Sequence, residues 1–170
     1  MISQARKALV ALALTTLSVP IMFGVAPSGA QTTAPAPAPA PAPAKKPSIT
    51  LGVASSKFGN IIVDDKGLSL YMFTPDARNV SNCEAACLTA WPPVMLGKDD
   101  TLADVALTGD LRRSLLGVAM RENGSRQVTY SGWPLYYWFR DAKAGDVLGQ
   151  WVGNVWFVMN AYGAPNSLRG

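Results

Sequence analysis

From Ile49 onward the chain runs in short apolar bursts separated by turn residues, a rhythm of strands rather than of long helices. Ile49 to Ala54 is followed by turn residues from Lys57 to Asn60, then Ile61 to Val63, then Asp64-Asp65-Lys66-Gly67, then Leu68 to Phe73. A second series opens at Leu116 and runs to Arg121. It meets Asn123-Gly124, whose tolerance of positive φ is a strong hairpin signal, and continues through Arg126 to Tyr130, Ser131-Gly132 and Pro134 to Phe139. Pro134 falls at the first residue of its strand, where its missing N–H does least harm. Strict apolar-polar alternation breaks down in the third burst of each series. Tyr71 and Phe73 take one face and Leu70 and Met72 the other, just as Tyr136 and Trp138 oppose Leu135, Tyr137 and Phe139. A strand apolar on both faces belongs at the centre. Further strands are expected at Val155 to Asn160 and, more weakly, at Val94-Met95. A short helix is expected near 82–90 with Asn82 as its cap.

The two series are one unit written twice. Sliding the chain by 65 residues lays Leu51-Gly52-Val53-Ala54 on Leu116-Gly117-Val118-Ala119, and the register continues without a gap: Gly59 on Gly124, Val63 on Val128, Gly67 on Gly132, Asp76 on Asp141, Trp91 on Trp156. Twelve of 41 aligned positions are identical, against about two or three expected from composition, so this is an internal repeat. One three-stranded meander buries too little apolar surface to stand alone, whereas two can share a core. The expected fold is therefore all-β: two tandem antiparallel β-meander repeats packed with pseudo-twofold symmetry into one domain. That domain spans 48–164, with repeat one at 49–95, a connector at 96–114, repeat two at 115–160 and a tail at 165–170.

Residues 1–30 read as a secretory signal peptide. Arg6 and Lys7 precede an apolar run from Ala8 to Val25, and Ser28-Gly29-Ala30 supplies the small residues of a cleavage site. The expected product is exported, periplasmic or extracellular, with no stable membrane span once the leader is removed. Residues 31–47, QTTAPAPAPAPAPAKKP, form an Ala/Pro-rich linker whose prolines favour polyproline II, a stiff spacer of about 50 Å at about 3.1 Å per residue. The formal charge of +4 comes from the leader and spacer, because Arg6, Lys7, Lys45 and Lys46 leave 11 basic against 11 acidic residues from Ser48 onward. A neutral body lacks the electrostatic footprint of a nucleic-acid binder. Histidine is absent, which removes the commonest general base and transition-metal ligand together.

A tyrosine, any residue, an aromatic, two further residues and an aspartate recur as Tyr71, Phe73, Asp76 and as Tyr136, Trp138, Asp141. Cys83-x-x-x-Cys87 leads into Trp91-Pro92-Pro93, and Tyr130-x-Gly132-Trp133-Pro134-Leu135-Tyr136 completes the pattern. These residues resemble the family of secreted repeats of unknown function, whose members include predicted lipoproteins. The resemblance covers most of residues 51–160. It implies an exported bacterial envelope protein with paired repeats and no established activity. No cysteine lies near the cleavage point, so this lipoprotein-like chain lacks the lipid attachment residue of those members.

Three groups of residues are candidates for chemistry. Asp76 and Asp141 follow an aromatic strand, where a carboxylate either fixes the next turn or joins the Tyr71 and Tyr136 hydroxyls around a cation or polar ligand. Cys83 and Cys87, at the reach of a disulfide on a helix, are either a structural cystine or a redox or copper(I) pair helped by Met72, Met95, Met120 or Met159. Their aligned positions in the second unit, Leu148 and Val152, are aliphatic, which favours a buried cystine. Trp133, Tyr137 and Trp151 are either core or an aromatic platform for sugar rings, while Trp91 and Trp156, equivalent across the repeat, read as core. No cofactor is expected, and the sequence names no metal, ligand or oligomeric state. The expected function is a non-enzymatic binding or structural module of the envelope. The alternative is a periplasmic redox or metal-handling protein using Cys83 and Cys87.

Overall fold

The computed structural model describes residues 45–167. The expected signal peptide, the expected linker up to Ala44 and residues 168–170 lie outside the described residues. The elements run β1 (Ile49–Ser56), β2 (Gly59–Asp64), β3 (Tyr71–Phe73), α1 (Ala86–Ala90), β4 (Met95–Leu96), β5 (Val105–Leu107), β6 (Leu116–Met120), β7 (Arg126–Tyr130), β8 (Trp133–Pro134) and β9 (Trp156–Val158). The fold is all-β with one short helix among the described residues. Asn82 does not cap that helix. The backbone turns at Ala85 (φ 49°), no side chain caps α1, and Asn82 points back to the Pro75 carbonyl instead.

Each unit begins with an antiparallel hairpin, β1–β2 and β6–β7, and each then gives its last strand to the other unit. Repeat one ends in β4, which pairs with β7 of repeat two; repeat two ends in β9, which pairs with β3 of repeat one. The exchange is visible bond by bond. Ile62 N–H donates to Met159 O, Met159 N–H to Leu70 O and Leu70 N–H to Ile62 O, and the same closed circuit recurs from Val128 to Val94, from Val94 to Leu135 and from Leu135 to Val128. The pseudo-twofold passes between Tyr71 and Tyr136, whose main chains exchange both bonds, at 2.8 Å and 3.0 Å.

These circuits correct the gapless alignment. Val128 occupies the place of Ile62, not Val63, whereas Leu135 and Leu70 remain 65 apart. The first hairpin turns through two residues between Ser56 and Gly59, the second through three between Arg121 and Ser125, and the next turn of the second unit is one residue shorter. By Gly67 and Gly132, both at φ 79°, the offset is restored. Burial imposes this shift, because a one-residue slip moves every side chain to the other face. Val128 and Ile62 both face the first core cluster, while Val63 faces the second.

The two clusters lie on opposite faces of the central strands. Leu70, Met72, Leu135, Phe157 and Met159 enter the first, and Tyr71, Tyr136, Trp156 and Val158 enter the second. The connector is more than a linker: after a helical turn at Leu102–Asp104 capped by Thr101, β5 lies parallel to β1 and buries Val105 completely. At the other end packing continues past the expected boundary at 164. Asn166 is buried, and its side chain donates to the Phe58 carbonyl.

Candidate functional site

The second cluster is built on a four-ring column. Trp91 and Trp156 stack at 3.7 Å with an interplanar angle of 5°, Phe73 stacks outside Trp156 at 4.3 Å, and Trp138 lies outside Trp91 at 4.1 Å. Tyr71 meets Trp91 edge-on at 5.4 Å and Tyr136 meets Trp156 edge-on at 5.1 Å, so each tyrosine reaches a ring of the same rank on its own side of the axis. The aromatic position of the repeated motif is therefore a stacking position. Filling it with Trp138 rather than Phe73 leaves an indole N–H with no hydrogen-bond partner, the single such buried side-chain atom among the described residues.

Both tyrosine hydroxyls cross to the opposite unit. Tyr71 donates to Asp141 Oδ2 at 2.6 Å, and Tyr136 donates to Asp76 Oδ2 at 2.8 Å. The other oxygen of each carboxylate accepts a backbone N–H: Asn82 N–H reaches Asp76 Oδ1 at 2.7 Å, and Leu148 N–H reaches Asp141 Oδ1 at 3.0 Å. Each aspartate thus closes the loop after its own strand and receives the other unit's tyrosine. This makes two separate tyrosine-aspartate pairs; the groove that Asp141 borders does not include Asp76.

Burial dominates the electrostatics. It raises Asp76 above the ordinary carboxyl range, against the opposing pull of the Asn82 N–H, the Tyr136 hydroxyl and the Arg121 charge. It raises Asp141 as well, opposed by Tyr71 and the Leu148 N–H. Burial also pushes the Tyr71 and Tyr136 phenols well above their usual value, with the partner carboxylate adding to the effect, so both hydroxyls act as donors.

The two pairs differ in what surrounds them. Tyr136 OH also meets Ser81 Oγ at 2.8 Å, and Ser81 is held by Arg121 Nη1 at 2.9 Å. The buried Arg121 guanidinium further donates to Gln127 Oε1 at 2.6 Å and to the Cys83 carbonyl at 2.6 Å, and pairs with Glu84 at 2.7 Å. Cys83 and Cys87 are joined in a disulfide across a Cα separation of 5.4 Å, with Cys83 fully buried and Cys87 half-buried. Around the other pair, Tyr71 OH accepts from Gly149 N–H at 3.2 Å. A Cβ on Gly149 would lie 2.9 Å from both Tyr71 and Trp91, so only glycine fits.

Gly149, one residue past the turn N–H that caps Asp141, holds the place that Cys83 holds past Asn82. Leu148 is 60% exposed and is not the aliphatic counterpart of the cystine expected from the alignment. Of the methionines, Met72 and Met159 lie in the first cluster, apart from Cys83 in the second, and Met120 is exposed; Met95, partly buried, pairs through β4 with Gln127. Trp133, Tyr137 and Trp151 all pack against the first cluster with different neighbours. The Arg78 guanidinium lies 5.4 Å over Trp133, Trp151 meets Phe157 edge-on at 4.6 Å, and Tyr137 borders a surface groove. Trp91 and Trp156 are core, 4% exposed each.

Sequence reasoning missed Arg121, Gln127 and Gly149. Arg121 ends an apolar strand like any exposed charge, and nothing in its spacing announces burial.

A family model described as a secreted repeat of unknown function matches the chain twice, over residues 52–95 and 117–160. Each match ends in the strand given to the other unit. No curated protein and no solved structure matches the chain.

Proposed function

Because the chain belongs to the family of secreted repeats of unknown function, we propose that it is a non-enzymatic binding or structural module of the cell envelope, held off its anchoring surface by the Ala/Pro spacer. The observation that carries this reading is the internal use of the paired motif. Both tyrosine hydroxyls and all four carboxylate oxygens of Tyr71, Asp141, Tyr136 and Asp76 are engaged inside the fold. A catalytic carboxylate needs a substrate within hydrogen-bond reach, and here those positions are taken by the opposite repeat's tyrosine and by a loop N–H of the aspartate's own repeat. The motif is a clasp between units, and it leaves loops and surface grooves for recognition. Among the described residues no helix is long and apolar enough to cross a membrane.

Co-sedimentation of the exported protein with isolated envelope material tests the proposal. The expected result is saturable retention in the pellet that survives Asp76→Asn. Uniform recovery in the supernatant overturns it.

A second reading, redox or metal handling by Cys83 and Cys87, is favoured by the position of Cys87, which unlike Cys83 keeps part of its surface in solvent, where a thiol can reach it. Thiol titration across a glutathione redox series checks this reading. A pair that stays oxidised throughout, in protein that takes up no copper(I) after reduction, removes it.

A further inference from the structure

Among the described residues, the two sides of the pseudo-twofold differ at one surface groove. A groove of about 410 Å³ is bordered by Asp64, Lys66, Pro92, Tyr137, Phe139 and Asp141. The mates of Tyr137, Phe139 and Pro92 are Met72, Thr74 and Phe157, as the matching bonds Phe139 N–H to Ala90 O and Thr74 N–H to Val155 O establish. On that side the corresponding space is filled: Met72 is 1% exposed and Phe157 7%, packed into the first cluster. Proline in place of phenylalanine opens the surface beside Tyr137. Phenylalanine in place of threonine then puts a ring, 56% exposed, at its edge.

We propose that this groove is a subsite for a pyranose ring of an envelope polysaccharide; the proposal rests on the envelope-binding reading and names its ligand. The rim indicates the character of what the groove takes. Tyr137 and Phe139, both lining the groove, offer it aromatic surface suited to the C–H face of a sugar. The Asp64 carboxylate lies beside the Tyr137 hydroxyl. Lys66, two residues away, has an ammonium that makes no ion pair among the described residues. Opposite charges on one rim disfavour a ligand of either single sign and suit uncharged hydroxyls, which donate to a carboxylate and accept from an ammonium. The Phe139 ring is set at the rim by the Arg140 guanidinium, 5.2 Å over it, and by Trp138, which it meets edge-on at 4.7 Å.

The test titrates the exported protein with chitohexaose, cellohexaose and maltohexaose, followed by calorimetry and tryptophan fluorescence. At least one sugar is expected to saturate at millimolar concentration or below. Phe139→Ala weakens it by about tenfold and Lys66→Ala by about threefold, from lost ring contact and one lost hydrogen bond. Thr74→Ala, the symmetry mate, leaves affinity unchanged. Phe139 is half exposed, so its variant keeps the wild-type melting temperature, which separates lost binding from lost folding. Absence of saturable binding to all three sugars, or equal affinity in Phe139→Ala, overturns the proposal. Sedimentation with the envelope by a protein that binds none of the sugars sinks the groove alone. Sugar binding by a protein that stays in the supernatant supports the groove and sinks the envelope reading.

Discussion

On one side of the pseudo-twofold, Tyr136 meets Asp76 inside a side-chain network of Ser81, Arg121, Gln127 and a disulfide-closed loop. On the other, Tyr71 meets Asp141 against main chain, with the Gly149 N–H as its second partner. The central contact is the same, and the means of satisfying its surroundings differ. The pair recurs in both copies because a phenol and a carboxylate buried at the junction of two units depend on each other: losing either leaves one buried oxygen of the other short of its strongest partner. The outer groups needed only some donor, and the two copies found different ones. One half relies on side chains that any substitution can remove, the other on a space too small for a methyl group.

Removing the arginine separates the halves most sharply. Arg121→Met leaves Ser81, Gln127, the Cys83 carbonyl and Glu84 without their shared donor. It is expected to cost about 2–4 kcal/mol in chemical denaturation, because the buried Gln127 Oε1 and Cys83 carbonyl lose a charged donor at about 1–3 kcal/mol each, while Glu84, 40% exposed, returns to water. A loss below about 1 kcal/mol would mean that the network is ornamental.

Next come substitutions at the equivalent positions Gly149 and Cys83. Gly149→Ala forces a Cβ against Tyr71 and Trp91 and is expected to cost about 1–3 kcal/mol by overpacking. Replacing Cys83 and Cys87 together by alanine loses a small covalent loop, about 2 kcal/mol on the loop-entropy account. Melting of the two variants side by side checks that both halves are constrained to a similar degree by unlike means.

A smaller effect is expected from pH. Both carboxyls are raised by burial. Each therefore contributes stability that is fully present below the ordinary value of 3.8 and lost as pH rises through the higher folded value. Asp100 and Asp104, held low by Lys45 and by Thr101 respectively, act in the opposite sense, so the raw curve mixes both signs. The difference between wild type and Asp141→Asn isolates one carboxyl. The wild type should lose stability relative to the variant as pH rises above about 4; a difference that is flat or rises would contradict the burial assignment.

The smallest change expected is that of Trp138→Phe, which makes the second motif match the first. It removes the unpartnered indole N–H while giving up part of the stack on Trp91, and the two terms oppose, leaving a change within about 1 kcal/mol. Denaturation midpoints measure the balance; a loss above about 3 kcal/mol would mean that the indole is indispensable to the column.

Much of this architecture is legible in the chain. The two-faced strands around Tyr71 and Tyr136 predict a central position, and Leu70 and Met72 do separate from Tyr71 and Phe73 into two cores. The hairpins follow from their turn residues, and the equivalence of Trp91 and Trp156 anticipates their shared burial. The exchange of β4 and β9 does not show, because a strand of two or three residues carries no mark of which unit it will join. Arg121 is equally silent: burial of a charge depends on acceptors contributed by Ser81, Cys83 and Glu84, far away in the sequence.

What the sequence determined by itself is the set of parts: two copies of an aromatic strand, a neutral body and a cysteine pair. These are properties of neighbouring residues, where turn chemistry, side-chain period and composition act locally. Only the tertiary structure decided that each tyrosine binds the other copy's aspartate, that Val128 stands for Ile62, and that proline and phenylalanine open a groove on one side alone. Those outcomes depend on which surfaces meet once both units pack, and contacts between residues some 60 to 80 positions apart are chosen by the whole core rather than by any segment of it.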